Sequence, residues 1–117
     1  MAFKRGNICM ANFNPFTGSE QGGIRPALII QNDVGNFYSP TTIVAAITSN
    51  VDKAELPTHV VIENCLPKKS MVLLEQIRTI DTSRINECIG QVTDDEIKKI
   101  DKALCISLGL DKGEKDL

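Results

Sequence analysis

Three stretches of this chain carry side chains that chemistry on a phosphate would need. The first is Asn14-Pro15-Phe16-Thr17-Gly18-Ser19-Glu20-Gln21-Gly22-Gly23-Ile24-Arg25. Its glycines let a backbone approach a ligand closely, and Ser, Glu and Gln supply donors and acceptors. Arg25 stands at the mouth of the apolar run 27–30, where a strand would hold its planar fork for bidentate pairing with phosphate oxygens. Composition alone leaves open a plain hairpin with a solvated arginine. The second stretch, Thr48-Ser49-Asn50, ends a β-branched run with hydroxyls, although threonine at such a place is also simply a strand former. The third, Leu73-Leu74-Glu75-Gln76-Ile77-Arg78, offers a carboxylate, an amide and a second arginine on a half-exposed strand, or else a solvated face.

Other chemistries are excluded by count and spacing. His59 is the only histidine, so a two-histidine ribonuclease mechanism is impossible. A lone histidine at the start of a strand serves as readily for hydrogen bonding as for proton transfer. Neither GxxxxGK[ST] nor GxGxxG occurs, which speaks against nucleoside triphosphates and dinucleotides. Cys9, Cys65, Cys88 and Cys105 form no Cys-x-x-Cys pair and lack metal-ligand spacing. No metal or cofactor is therefore expected. The basic N-terminus has no apolar stretch behind it, so no secretory signal is read and a cytoplasmic location is expected. Reduced, structural thiols follow from that compartment.

The 117 residues suit one domain, expected over 1–110 with a polar, fraying tail at 111–117. At 42% hydrophobic and 24% charged residues the composition is that of a folded globular chain, and no apolar run is long enough for a membrane span. The net charge of −2 excludes a broadly basic nucleic-acid surface. Residues 1–60 hold four bases and four acids, so a small local cationic site remains open.

The elements that must position these groups are mostly short strands. Runs 8–13, 26–30, 42–48, 59–62, 71–74, 76–80 and 88–92 are apolar or β-branched and are separated by turn signals. Pro26 would stand first in its strand, where no ladder donor is needed. The period then changes: Thr93-Asp94-Asp95-Glu96 reads as a capping box, Ile97, Ile100, Leu104 and Leu108 follow at helical spacing, and Gly109 suits C′. A helix over 94–108 follows. Five to seven strands and one C-terminal helix, without strand–helix alternation, predict a mainly β fold. A curved antiparallel sheet or small barrel, with the helix packed on it, is the expected form.

Taken in order, Lys4-Arg5-Gly6, Gly18-Ser19-Glu20-Gln21-Gly22-Gly23-Ile24-Arg25-Pro26, Ile30-Gln31-Asn32-Asp33, Tyr38-Ser39-Pro40-Thr41, Val44-Ala45-Ala46-Ile47-Thr48, Pro57-Thr58-His59-Val60, Leu74-Glu75-Gln76-Ile77-Arg78-Thr79-Ile80-Asp81 and Ile106-Ser107-Leu108-Gly109-Leu110 resemble the MazF/PemK family of type II toxins. Within it the chain is most similar to the MazF enzymes of low-GC Gram-positive bacteria. The resemblance implies an SH3-like barrel, a homodimer, a cognate MazE-type antitoxin, and contact with operator DNA only through that antitoxin. It also implies a sequence-specific, metal-independent endoribonuclease. Such an enzyme cuts single-stranded RNA, mainly mRNA, by attack of the 2′-hydroxyl, leaving 2′,3′-cyclic phosphate and 5′-hydroxyl ends.

By the same resemblance Arg25 and Thr48 form the catalytic pair, with Glu20 the rival general base. RNA contacts fall on Ser19, Glu20, Gln21, Glu75 and Gln76, joined by Phe16, Thr17 and His59. Two departures from the family pattern bear on base recognition: the link 63–70 is shorter, and Pro15-Phe16-Thr17 is less aliphatic. The alternative from another class is a non-enzymatic DNA gyrase poison, like the CcdB-like proteins of the same superfamily, acting through the C-terminal helix.

Overall fold

Branched apolar residues favour extended backbone, and here each such run pairs antiparallel with its neighbour. The computed structural model describes residues 3–15, 17–19, 22–52 and 56–110. The strands are β1 (Asn7–Asn12), β2 (Ile24–Ile29), β3 (Thr41–Thr48), β4 (His59–Ile62), β5 (Ser70–Asp81) and β6 (Ile85–Gln91); helices α1 (Asp33–Tyr38) and α2 (Asp94–Ser107) complete the order. They form one six-stranded sheet, β4-β5-β3-β2-β1-β6. Six strands fall within the expected number, and the mainly β architecture with a C-terminal helix is the one expected. Phe16, Glu20, Gln21 and the tail 111–117 lie outside the described residues.

Alternation along the strands sends apolar side chains to both faces. One cluster gathers Ile8, Leu28, Ala45, Ile47, Val60, Val72 and Leu74 with Ile100 and Ala103 of α2, while Phe13, Ala11, Ala27, Val44 and Ala46 belong to a second. The sheet also curls. An added Cβ on Gly90 of β6 would lie 2.4 Å from the Cys65 carbonyl oxygen, in the link that follows β4. The two ends of the sheet are thus brought together by a loop, across a contact that only glycine permits.

The capping box of α2 is present: Thr93 Oγ1 accepts from Glu96 N, and Glu96 Oε1 accepts from Thr93 N. Gly109 follows the helix with φ +71. Of the expected apolar stripe, Ile100 is buried and Ile97 and Leu104 pack against the core, joined by Ala103, whereas Leu108 at the C-cap is 53% exposed. Buried Glu96 also accepts from Glu63 N at 3.4 Å, tying the link 63–70 to the helix start.

Four expectations need correction. Residues 71–74 and 76–80 are one strand, β5, whose register with β3 shifts between Ala45↔Ile77 and Ala46↔Leu73. Leu74, Glu75 and Gln76 form the bulge between them. Pro26 is the third residue of β2 and pairs with Met10; the recorded ladder to β3 stops at Ala27↔Ala46, one step before it. A proline lacks the N–H that would extend that ladder. Helix α1 was not expected: none of its six residues is buried, so it has no apolar period, and Asn32 caps it through Gly35 N. Finally, Cys9 and Cys88 are disulfide-bonded, because the β1–β6 register sets them opposite one another. Cys65 and Cys105 are free thiols. Burial, and then the charge of Glu96, push the Cys65 thiol up and keep it protonated.

Candidate active site

Arg25 and Thr48 line one cleft. Ala27 faces Ala46 at the end of the β2–β3 ladder, and Arg25 and Thr48 lie two residues beyond that last pair on their strands. Arg25 is half-buried, and its Nη1 is buried without a hydrogen-bond partner. Thr48 is also half-buried; its hydroxyl oxygen accepts from Asn50 N at 3.1 Å, which fixes the turn after β3.

The strands part beside this pair. Beyond the end of the β2–β3 ladder lies a cleft of about 400 Å³, lined by Ile24, Arg25, Pro26, Ile47, Thr48 and Ser49, with a far wall from Leu66, Pro67, Lys68, Ser70 and Ile89. Consecutive residues line it on both sides, Ile24 to Pro26 of β2 and Ile47 and Thr48 of β3 with Ser49 just beyond, so it opens at the strand ends and not on one face alone.

A second cavity, of about 330 Å³, lies on the face that Arg25 and Thr48 share with Ala46. Its lining is Phe13, Pro15, Ala46, Glu75, Gln76, Ile77 and Arg78. The β5 bulge explains the group: it takes Glu75 and Gln76 out of the β3 ladder and re-aims them, as bulges do. Thr58 Oγ1 donates to Glu75 Oε1 at 2.9 Å, and His59 Nε2 lies 2.8 Å from Glu75 Oε2. The His59 side chain is only 2% exposed, and its Nδ1 is buried and unpaired. Partial burial acts to raise the Glu75 pKa, but the bonds from His59, its own backbone and Thr58 outweigh that and hold the carboxyl below its ordinary value.

The glycine-rich loop is fastened at its base by two arginines. Arg78 Nη1 donates to the Phe13 carbonyl at 2.8 Å, with its guanidinium 5.8 Å from the Phe13 ring centroid. Arg84 donates to the carbonyls of Asn12 and Asn14. Across the loop, Phe13 N donates to the Gly23 carbonyl and Gly23 N to Asn14 Oδ1, each at 2.9 Å. Gly23 turns there with φ +82, where a side chain would be strained. Gln76 Nε2 reaches the Ser19 carbonyl at 3.3 Å, joining the loop to the bulge.

Of the residues expected at the site, Arg25 and Thr48 line one cleft, His59 lies against Glu75, and Ser19 is reached by Gln76. Thr17 is exposed in the same loop. Phe16, Glu20 and Gln21 fall outside the described residues. Sequence reasoning missed Phe13, Leu66, Lys68 and Ile89 as lining groups. Nothing local marks them, since each is brought in by curl and register.

Whole-chain comparisons show the family and the fold. Residues 4–108 match the family described as PemK-like, MazF-like toxin of type II toxin-antitoxin system. The chain is 54% identical over 110 residues to an endoribonuclease MazF of Staphylococcus saprophyticus, covering 92% of each chain. A crystal structure of MazF from Deinococcus radiodurans superimposes with a TM-score of 0.82 at 27% identity, over 93% of this chain and 98% of that one. A MazE–MazF structure from the same organism matches with a TM-score of 0.76 at 26% identity, over 95% and 99%.

Proposed function

We propose that this chain, which belongs to the PemK-like, MazF-like toxins of type II toxin–antitoxin systems, is an endoribonuclease cutting single-stranded RNA between its two cavities. The observation that carries this reading is Arg25 Nη1, a buried cationic donor without a partner, on a side chain that lines the same cleft as Thr48. A buried donor left unmet costs about 1–3 kcal/mol, and more when charged. A phosphate oxygen would satisfy it.

The reaction needs three things: a proton removed from the substrate's 2′-hydroxyl, a proton delivered to the leaving 5′-oxygen, and charge stabilised on the phosphorane between them. Attack by the 2′-oxygen explains selection of RNA over DNA. Donors already aimed at developing charge usually contribute most, and Arg25 takes that role together with proton transfer at the phosphate. Thr48 holds the phosphate by its hydroxyl. A guanidinium with pKa above about 12 is a poor base in water, so Glu20 is the rival for the first proton. Glu75 and Gln76, turned outward by the bulge, have the acceptors and donors to read base edges. Phe16, Thr17, Ser19 and Gln21 supply further contacts from the loop. His59 contributes by holding Glu75 in place. No metal takes part in this scheme.

A MazE-type antitoxin would neutralise the protein by laying an acidic, initially disordered segment over the same cations. The relatives solved as MazE–MazF complexes support such a partner. A homodimer in the cytoplasm, meeting operator DNA only through the antitoxin, completes the reading. The gyrase-poison alternative is not favoured, since the 54% identical relative is an endoribonuclease.

The test uses purified protein and a single-stranded RNA. Cleavage should proceed in EDTA, spare the same sequence in a duplex, and spare deoxyribose at the cut position. Product ends should be 2′,3′-cyclic phosphate and 5′-hydroxyl. Cleavage abolished by EDTA, or retained with deoxyribose at the cut, refutes the mechanism. Glu20→Gln assigns the base: a collapse in rate with RNA affinity intact moves that role from Arg25 to the carboxylate.

A further inference from the structure

The cleft beside the catalytic pair has one wall that the mechanism above does not use. Leu66, Pro67, Lys68 and Ser70 all come from the 63–70 segment and face Arg25 and Thr48 across the opening. This wall is held in place. The segment's Cys65 carbonyl sits against Gly90, its Glu63 amide donates to buried Glu96, and buried Ser70 donates its hydroxyl to the Lys68 carbonyl at 3.0 Å. Lys68 therefore projects from a pinned backbone.

Its charge is also free for a ligand. Among the described residues Lys68 forms no ion pair, whereas neighbouring Lys69 lies 3.8 Å from the Glu63 carboxylate. Among the described residues lining the cleft none carries a negative charge, and the cations are Arg25 and Lys68. In a chain of net charge −2, few places can receive a polyanion, and this is one. Apart from the hydroxyls of Thr48, Ser49 and Ser70, the remaining lining is apolar and open at the mouth, with Ile24 61% and Ile89 42% exposed. Such a surface suits the face of an unstacked base, since stacking and apolar contact demand no particular base edge.

We propose that Lys68 grips the RNA phosphate next to the scissile one, with the intervening base lodged against Ile24, Leu66, Pro67 and Ile89. This rests on the ribonuclease reading, with Arg25 at the scissile phosphate. Lys68 is then a substrate-binding residue that takes no part in the chemical step. Being apolar, the base subsite sorts by shape, while base-edge reading falls to Glu75 and Gln76 in the other cavity.

The experiment compares wild type, Lys68→Gln, Lys68→Arg and Lys69→Gln on an RNA that the wild type cuts, at 50 and 200 mM KCl. One phosphate contact on a single strand contributes about 0.7 to the slope of log affinity against log salt, or roughly 2.6-fold over this fourfold range. Lys68→Gln should lower kcat/KM several-fold at 50 mM, leave kcat at saturating RNA unchanged, and flatten the salt slope by about 0.7. Lys68→Arg should restore both, and Lys69→Gln should keep the wild-type slope. An unchanged slope in Lys68→Gln overturns the proposal, as does a lowered kcat at constant KM. A wild type that cuts no RNA defeats the ribonuclease reading itself, which keeps the two failures distinct.

Discussion

Replacing Arg25 with leucine should make the protein inactive without making it less stable. The native side chain is half-buried and leaves Nη1 without a partner. An unmet buried donor costs the fold about 1–3 kcal/mol. Leucine removes the donor and keeps much of the aliphatic stem, whose methylenes contribute about 0.8 kcal/mol each. The net expectation lies between no change and about 2 kcal/mol of added stability. At this chain length that corresponds to a rise in Tm of up to roughly 8 °C. Cleavage should fall about 10²–10⁴-fold for loss of a positioned proton-transfer group, or roughly 2.7–5.4 kcal/mol of transition-state stabilisation. Single-turnover cleavage of a fluorogenic RNA gives the rate, and a thermal scan gives Tm. A non-cleavable oligomer with deoxyribose at the cut site should raise the Tm of the wild type but not of the variant. The reasoning is refuted if Arg25→Leu lowers Tm by several degrees, which would make the arginine a structural brace, or if it cleaves normally.

Thr48→Ala should cost only about three- to tenfold in rate if the hydroxyl makes one neutral hydrogen bond to the phosphate; a single-turnover loss beyond that range makes Thr48 part of the transition-state network. Gly90→Ala drives a methyl to 2.4 Å from the Cys65 carbonyl, so the link must shift, at a cost of about 1–3 kcal/mol in denaturant unfolding and with weaker RNA binding at the displaced wall; unchanged stability would show that the ends of the sheet do not meet there. The lowered pKa of Glu75 means that folding favours its charged form. Its contribution to stability is present above the unfolded carboxylate pKa of about 4.3 and is lost as pH falls through the lower folded value. Glu75→Gln should therefore flatten the acid limb of the stability curve, and an unaltered limb counts against the His59–Glu75 contact.

Local signals carried the regular elements, and long-range register decided the rest. The capping box at Thr93 and Glu96 and the run at 42–48 announce α2 and β3 because each depends on its own residues. Glu75 and Gln76 interrupt an apolar pattern, which reads as a strand boundary although the chain continues as a bulge. Helix α1 buries nothing, so hydrophobic period is silent about it. The Cys9–Cys88 bond spans 79 residues, and only the β1–β6 register could reveal it. At the site, motif resemblance pointed to Arg25 and Thr48, and the two line one cleft beyond the end of the β2–β3 ladder. Arg78 shows the converse, a candidate ligand group that is occupied in bracing a loop. Lys68 needed the curl of the sheet to bring it across from Arg25.

Joining the ends of the sheet through a segment, and not through a ladder, affects how such a protein can diverge. Away from a bulge, a paired strand cannot gain or lose one residue without turning its side chains to the wrong face. The 63–70 segment has no such parity to keep. Doubling the length of a flexible loop adds only about 0.6 kcal/mol of closure entropy. Insertions and deletions there can remodel one bank of the cleft while β4, β5 and β6 stay in register. Substrate preference can therefore drift through indels, a kind of variation to which the catalytic strands are closed.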